Sequence, residues 1–354
     1  MNVRPYKYLS PFIVFVLAWI SLQASGWLSF LAVTYAFVCI PLLELFLKPD
    51  LSNFSVAEEE VAKRDKTYDA ILYLVLPLQY FMLISFLFSM KQSDLSTVDK
   101  AGHIITMGLL CGVFGINVAH ELGHRVNKWE QLMAKALLLT SLYTHFFIEH
   151  NKGHHKHVAT HDDPSSARYN ESIFAFYPRT LFFTYISAWK IANKECEKKG
   201  KSALSLHNEM LQLQLLQLAF VLIIFLLFGL IILLAYLLAA FMGMLLLECV
   251  NYIEHYGLSR SKSSSGLYER TMPHHSWNSN HIIGRLMLFE LSRHSDHHYM
   301  ASRKYQILRH HEHSMQMPTG YPGMMLLAHI PPLWFYIMNN RIKKETPAAP
   351  PLTA

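Results

Sequence analysis

MLQLQLLQLAFVLIIFLLFGLIILLAYLLAAFMGMLLL, residues 210–247, is a run of 38 residues without Asp, Glu, Lys or Arg. Crossing the hydrocarbon core of a bilayer takes about 20 helical residues, so this run is long enough for two spans. It lacks the period-two alternation of a membrane barrel, and only helices or closed barrels satisfy their backbone groups in lipid. The run therefore predicts membrane helices, either as a hairpin or as one over-long tilted helix.

Three more charge-free runs precede it: residues 8–43, 70–90 and 101–119. The first is long enough for two spans and the others for one each. We expect the first helix to be retained rather than cleaved as a signal peptide, because the apolar pattern resumes at once at Trp27. The predicted spans are 9–23, 27–47, 69–90, 101–119, 211–231 and 233–252.

The composition agrees with a membrane protein. Of the 354 residues, 52% are hydrophobic and only 16% are charged, which disfavours an ordinary soluble enzyme, and nothing in the sequence suggests a nucleic-acid partner. The four cysteines are scattered without a CxxC pair, so no disulfide framework, iron-sulfur site or haem attachment is indicated. Any electrons that the protein uses must come from another protein.

Charge sets the predicted topology. With six spans, one side of the membrane carries only Lys91 and Lys100 of all the lysines and arginines, so the other side and both termini should be cytoplasmic. The predicted division is 1–119 for helices 1–4, 120–209 for cytoplasmic and interfacial helices, 210–253 for a hairpin, 254–340 for a cytoplasmic cap and 341–354 for a disordered tail. We expect a buried or re-entrant helix at 136–148, an interfacial helix at 172–201 and a surface cap at 318–338.

Histidines are grouped on the predicted cytoplasmic side. HELGHR (120–125) places two imidazoles at i and i+4, and RHSDHH (293–298) places three on one helical face; EHNKGHHKH (149–157) and NYIEHYG (251–257) add four more. The candidate ligands are His120, His124, His150, His154, His155, His255, His294, His297 and His298. One first-row metal takes about six ligands at most, so nine imply two metals, of a kind that accepts imidazole.

Each motif also has an ordinary explanation. HExxH occurs by chance, a lone histidine such as His255 is usually a hydrogen-bonded core residue, and RHSDHH could be a solvated basic face. Several one-face groupings on one side of a membrane favour metal binding. Gathering His120 with His255 also requires an even number of crossings between them, which favours the hairpin.

The motifs HELGHR, EHNKGHH with the following VATHDDPSSAR, NYIEHYG, and RHSDHH with the following RKYQ resemble the integral-membrane alkane monooxygenase family. The resemblance runs from the third span to about residue 340. It implies a di-iron centre with the nine histidines as ligands, O2 as cosubstrate, and terminal hydroxylation of medium-chain n-alkanes from the bilayer. It also implies electrons from rubredoxin and its NADH-dependent reductase, and a multi-pass protein of the inner membrane. The chain departs from the family pattern at His161, Ala301 and Ser302, none of which is a ligand position.

The resulting fold class is an all-α integral membrane protein of six transmembrane helices with a cytoplasmic histidine-rich di-metal cap. Carboxylates beside the ligands in sequence are expected to orient the imidazoles, or else to be ordinary interfacial carboxylates that pair with lysine or arginine. These are Glu121, Glu149, Glu254 and Asp296, with Glu248 near the end of the last span as a further candidate. The other histidines are expected to be structural or surface residues, with His157 and His281 as the strongest candidates for exceptions.

Three other classes of protein remain as alternatives. A desaturase or other lipid oxidase would share the histidine motifs. A membrane zinc peptidase would use HELGH with Glu121 as general base, and a metal transporter would place ionisable ligands inside its spans. A lysine cluster on the cytoplasmic face would suit either an acidic electron carrier or anionic lipid; its members are Lys190, Lys194, Lys198, Lys199 and Lys201.

Overall fold

The computed structural model describes residues 4–345 and is almost entirely helical. Within that range, six helices are long and apolar enough to cross a membrane, which confirms the predicted count. The spans are Arg4–Gln23, Gly26–Glu44, Thr67–Ser89, Thr97–Gly123, Glu209–Phe228 and Leu230–His255. The chain is therefore a multi-pass membrane protein.

Further helices and two short strands make up the other regular elements of the described chain. The other helices are Val56–Arg64, Lys128–Thr140, Phe146–Glu149, His150–His154, His155–His157, Ile173–Lys198, Ile282–Met287, His294–Tyr299, Tyr321–Ala328 and Pro331–Glu345, with single 3-10 turns at Pro273–His275 and Tyr305–Ile307. Two strands of two residues each, Trp277–Asn278 and Met315–Gln316, pair in parallel.

The charge-free run at residues 210–247 is a hairpin, in which the ring centroids of Phe220 and Tyr236 lie 6.1 Å apart. Its first helix begins after Asn208, whose side-chain oxygen accepts a hydrogen bond from the Met210 N–H at 3.0 Å. It ends at Phe228, because Gly229 has φ 81° and ψ 175°, a conformation that essentially only glycine adopts. Leu230 then starts the last span, so the single tilted helix is excluded.

The described chain divides into two compact units. The first comprises the chain up to Cys39, Asp65–Glu149 and Tyr185–Leu247. In it the fourth and sixth spans approach closely: a β-carbon added at Gly243 would lie 2.5 Å from Cβ of Cys111. Small residues at helix crossings allow such close backbone packing in membranes. The buried Tyr236 hydroxyl also donates to the carbonyl of Thr140 at 3.0 Å, which fixes the sixth span to the helix Lys128–Thr140.

The second unit comprises Ile40–Arg64, His150–Thr184 and the described chain from Glu248 onward. The end of the last span is anchored in it, since the Tyr252 hydroxyl donates to the Glu171 carbonyl at 2.7 Å. The buried Trp277 indole donates to the Tyr256 carbonyl at 2.9 Å. These contacts fix the chain on both sides of His255, one of the predicted ligands.

Several segment predictions can be compared with the described residues. The 136–148 region forms the end of Lys128–Thr140 and the start of Phe146–Glu149, neither of which is among the six candidate spans. The 172–201 region is the helix Ile173–Lys198. The last helix continues to Glu345, so the prediction of a disordered tail is wrong for residues 341–345; residues 346–354 lie outside the described part of the chain.

We expect Gly229→Ala to lower the free energy of unfolding by about 1–3 kcal/mol, because alanine is strained in this backbone conformation. Thermal unfolding of the purified chain in detergent measures the change. Leu230→Ala is the matched control, since Leu230 is 58% exposed and helical. Equal melting temperatures for wild type and Gly229→Ala would contradict the hairpin.

Candidate metal centre

Seven of the nine predicted ligands lie in the second unit, where three distant stretches of sequence bring them together. These stretches are the turn at 150–155, the end of the last span, and the helix His294–Tyr299, called the ligand helix below. Six of the seven are at least nine-tenths buried, and His155 is partly exposed. Such burial of imidazoles on separate elements indicates a built site.

Three of these histidines form one group, called the three-histidine group: His150, His155 and His297. Nε2 of His155 lies 3.0 Å from Nε2 of His150 and 3.0 Å from Nε2 of His297. The three ring nitrogens therefore face a common point.

The other four form a second group, the four-histidine group: His154, His255, His294 and His298. Nε2 of His154 lies 3.2 Å from Nε2 of His298, and Nε2 of His255 lies 3.2 Å from Nε2 of His294. The four ligand atoms all lie within 4.8 Å of one another. Each group thus presents a set of converging imidazole nitrogens.

These distances fit a bound first-row metal ion. Metal–imidazole bonds of about 2.1 Å that meet at about 90–100° hold the two nitrogens about 3.0–3.2 Å apart. Burial and the neighbouring imidazoles lower the pKa of His298 well below its ordinary value, which favours the neutral ring. Neutral imidazoles are the form that binds metals.

A wide helical turn explains the division of ligands between the groups. Residues His150–His154 form a π-helical turn, with hydrogen bonds from i to i+5. His150 and His155, five residues apart, accordingly face the same group, whereas His154 faces the other. In the ligand helix, His294 and His298 are four apart and share a group, and His297 faces the other group. The sequence motifs alone did not predict this division.

Asp163 holds one ligand ring and was missed by the sequence analysis. Its Oδ2 lies 2.9 Å from Nδ1 of His154 and also accepts from Ser166 Oγ at 2.6 Å. Burial raises the pKa of Asp163, but His154 and the hydrogen bonds outweigh that effect and lower it overall. An ionised carboxylate only accepts hydrogen bonds, so the Nδ1 of His154 carries the hydrogen and its Nε2 lone pair faces the group. VATHDD was quoted only for the resemblance, and its second aspartate is this residue.

The predicted orienting carboxylates in the second unit have different surroundings. Glu254 is closest to a ligand: its Oε2 lies 3.2 Å from Nε2 of His294, and its Oε1 accepts from the Tyr321 hydroxyl at 2.7 Å. Asp296 is bonded instead to residues 303–311, and Glu248 accepts from Thr180 Oγ1 at 2.7 Å. Of these three carboxylates, only Glu254 is described in contact with a ligand, and that ligand is His294 and not its sequence neighbour His255.

The remaining two predicted ligands, His120 and His124, lie in the first unit at the end of the fourth span. Their ring centroids are 4.9 Å apart, as the i, i+4 spacing requires. Glu121, which follows His120, accepts a hydrogen bond from Arg125 Nη2 at 2.6 Å. Glu149, in the same unit, accepts from Ser187 Oγ at 3.3 Å.

The two additional candidate histidines have roles outside the groups. His281 precedes the helix Ile282–Met287, and its Nδ1 lies 3.0 Å from Ser279 Oγ. His157 ends the short helix His155–His157, and burial lowers its pKa. Among the described residues neither belongs to a histidine group that could hold a metal.

Comparison with known proteins agrees with this architecture. The fatty acid desaturase family model matches residues 101–327, which include all nine histidines. The chain is 39% identical to an alkane 1-monooxygenase of Acinetobacter baylyi, over 86% of this chain and 74% of that protein. It is also 39% identical to alkane 1-monooxygenase 2 of Alcanivorax borkumensis (87% and 82% covered) and 38% identical to alkane 1-monooxygenase 2 of Pseudomonas aeruginosa (88% and 84% covered). The chain belongs to the alkane 1-monooxygenase family, within the fatty acid desaturase family that the matching model describes.

Proposed function

We propose that this protein hydroxylates the terminal carbon of medium-chain n-alkanes with O2, at a non-haem di-iron site that receives electrons from rubredoxin. The observation that carries the proposal is the pair of histidine groups at the end of the last membrane span. The names of the relatives, alkane 1-monooxygenases, support the substrate and the reaction. Imidazole ligands suit iron better than magnesium or calcium, which prefer oxygen.

We further propose that His120 and His124 complete the three-histidine group. That group has three imidazoles in the second unit, and the HELGH pair would raise its ligands to five, against four in the other group. The pair closes an apolar span, and its spacing leaves both rings on one face of the helix. All nine predicted ligands would then bind iron.

The overall reaction takes RH, O2, two electrons and two protons to ROH and water. Two bound irons would supply the activation of O2 and the oxidation of the terminal C–H bond. The imidazoles of the two groups would hold the irons, and the hydrogen bond from Asp163 favours the ligating tautomer of His154. An alkane has no polar group to bind, so its affinity must come from apolar burial, worth about 0.8 kcal/mol per CH2.

The cysteine spacing supports the proposed electron supply, and the charge distribution supports the proposed orientation. Among the four cysteines there is no CxxC pair, so a separate carrier, rubredoxin with its NADH-dependent reductase, is proposed as donor. The distribution of lysine and arginine supports a cytoplasmic location for the termini and the metal site, in the inner membrane. The lysine cluster from Lys190 to Lys201 is a proposed docking surface for the carrier.

The zinc-peptidase alternative is weakened by one contact. A peptidase of this type needs Glu121 free to act as general base. Here its carboxylate is paired with Arg125 at 2.6 Å, with both side chains at most 10% exposed. The four-histidine group would also have no role in such an enzyme.

The direct test of the function is incubation of the iron-loaded chain with octane, O2, NADH, rubredoxin and rubredoxin reductase. We expect octan-1-ol, with one oxygen atom from labelled O2 and one NADH consumed per alcohol. Leaving out rubredoxin should stop product formation, since the chain would lose its electron donor. An alkene as the product would identify a desaturase, and alcohol without label would contradict a monooxygenase.

Replacing a ligand should remove metal. We expect His255→Ala to lower bound iron from about two per chain to about one or fewer, because His255 faces three other imidazoles. Iron is measured by inductively coupled plasma mass spectrometry on the purified chain. His274→Ala is the matched control, because His274 is exposed and lies outside both groups. Two irons in both variants would disprove the four-histidine group as a metal site.

Asp163→Asn should weaken Fe(II) binding by about 10–100-fold, the usual effect of removing a carboxylate that orients a ligating histidine. Titration against a competing chelator measures the affinity. Its neighbour Asp162 is exposed, and Asp162→Asn should bind iron like the wild type. If the two variants bind equally well, Asp163 does not orient His154.

A further inference from the structure

The ligand helix is short for the number of ligands that it carries. His294–Tyr299 has six residues, too few to be stable as an isolated helix, so contacts with the rest of the protein must fix its position. It supplies His297 to the three-histidine group and two ligands to the four-histidine group. A shift of this one helix would therefore displace ligands of both groups.

Asp296 connects the ligand helix to the loop that follows it. The residue is fully buried. Its two carboxylate oxygens accept hydrogen bonds from Arg303 Nη1 at 2.7 Å, from His311 Nε2 at 2.7 Å and from the Arg309 N–H at 2.9 Å. All three donors belong to residues 303–311, and none is a predicted metal ligand.

That loop is bound in turn to the segment between the second and third spans. The guanidinium of Arg309 forms a two-bond ion pair with Glu59 of the helix Val56–Arg64, and its Nη2 lies 2.6 Å from Oε2. The Asn53 side chain accepts a hydrogen bond from the His310 N–H at 2.7 Å and donates one to the His310 carbonyl at 2.9 Å.

The same segment also holds the residue before the ligand helix. Arg293 is 3% exposed and donates to the carbonyls of Ser52 at 2.8 Å and Leu308 at 2.7 Å. Residues 50–64 thus contact both the start of the ligand helix and the loop that binds its middle. The buried guanidinium of Arg293 therefore connects the ligand helix to these residues.

We propose that Asp296, supported from behind by the Glu59–Arg309 ion pair, is a positioning residue that holds the ligand helix where its histidines reach both metal ions. The proposal rests on the metal-binding part of the proposed function and not on the alkane reaction. Asp296 touches no ligand directly, so it acts through the backbone of the helix that carries them. Replacing Asp296 should weaken the binding of both metal ions together, whereas replacing a single histidine ligand should weaken binding in one group only.

The first test uses the outer ion pair, which is partly exposed and so less critical for folding. In the metal-free full-length chain, Glu59→Gln and Arg309→Gln should speed amide hydrogen exchange at residues 294–299 by at least about tenfold, because the loop behind the helix is loosened. Both variants should also bind Fe(II) about 10-fold more weakly. Arg309→Lys, which keeps the charge, should recover at least half of the loss on a logarithmic scale.

The matched control is Glu60→Gln. Glu60 lies beside Glu59 on the helix Val56–Arg64 but forms its ion pairs within that helix, with Lys63 at 3.8 Å and Arg64 at 3.7 Å. It should leave both the exchange of residues 294–299 and the Fe(II) affinity unchanged. The proposal is overturned if Glu59→Gln and Arg309→Gln leave exchange and affinity unchanged, or if Glu60→Gln weakens binding as much as they do.

Asp296→Asn tests the central residue. We expect a chain that elutes as wild type on gel filtration in detergent but has lost affinity for both irons in parallel, by about 10–100-fold. Loss of one iron with retention of the other would overturn the proposal, as would two irons with an unchanged Mössbauer spectrum. If this variant does not fold, the Glu59 and Arg309 variants decide the question. These measurements need no alkane turnover, so they can fail independently of the proposed reaction.

Discussion

Imidazole nitrogens that face one another across about 3 Å repel through their lone pairs unless a proton or a metal ion lies between them. The second unit holds two such groups, assembled from residues more than a hundred positions apart. A single shared proton can join two rings, but not three or four that converge. Each group could therefore hold a cation, and the Asp163 carboxylate beside His154 would add the negative charge that such a cation favours.

The membrane imposes the second constraint. Helices that cross lipid must satisfy their own backbone groups, so the spans themselves leave few places for irregular structure. The first two spans include 3-10 segments and a π-helical turn at Tyr35–Cys39. Three other departures bear on the site: Gly229 turns the last two spans into a hairpin, and π-helical turns occur at Cys111–Ile116, before the HELGH pair, and at His150–His154. Such turns are frequent at functional sites because they shift side chains from the α-helical face.

The sequence predicted the six spans well, because charge-free runs of known length leave little choice of structure in lipid. Motif spacing also identified the seven histidines that meet in the second unit. The division into groups of three and four was not predictable, since it depends on the local π-helical turn. The orienting carboxylates were chosen by sequence neighbourhood, yet Asp163 lies nine residues from His154 and Asp296 bonds to a later loop. Contacts between segments that are distant in sequence leave no local sequence pattern, so they could not be predicted.

A cryo-electron microscopy map of the iron-loaded chain in a lipid nanodisc would show whether two metal ions are held almost wholly by imidazoles. We expect two metal densities, one bounded by His154, His255, His294 and His298. The other should be bounded by His150, His155 and His297 together with His120 and His124. A single metal density, or a map with His120 and His124 on the opposite side of the membrane from His297, would contradict this expectation.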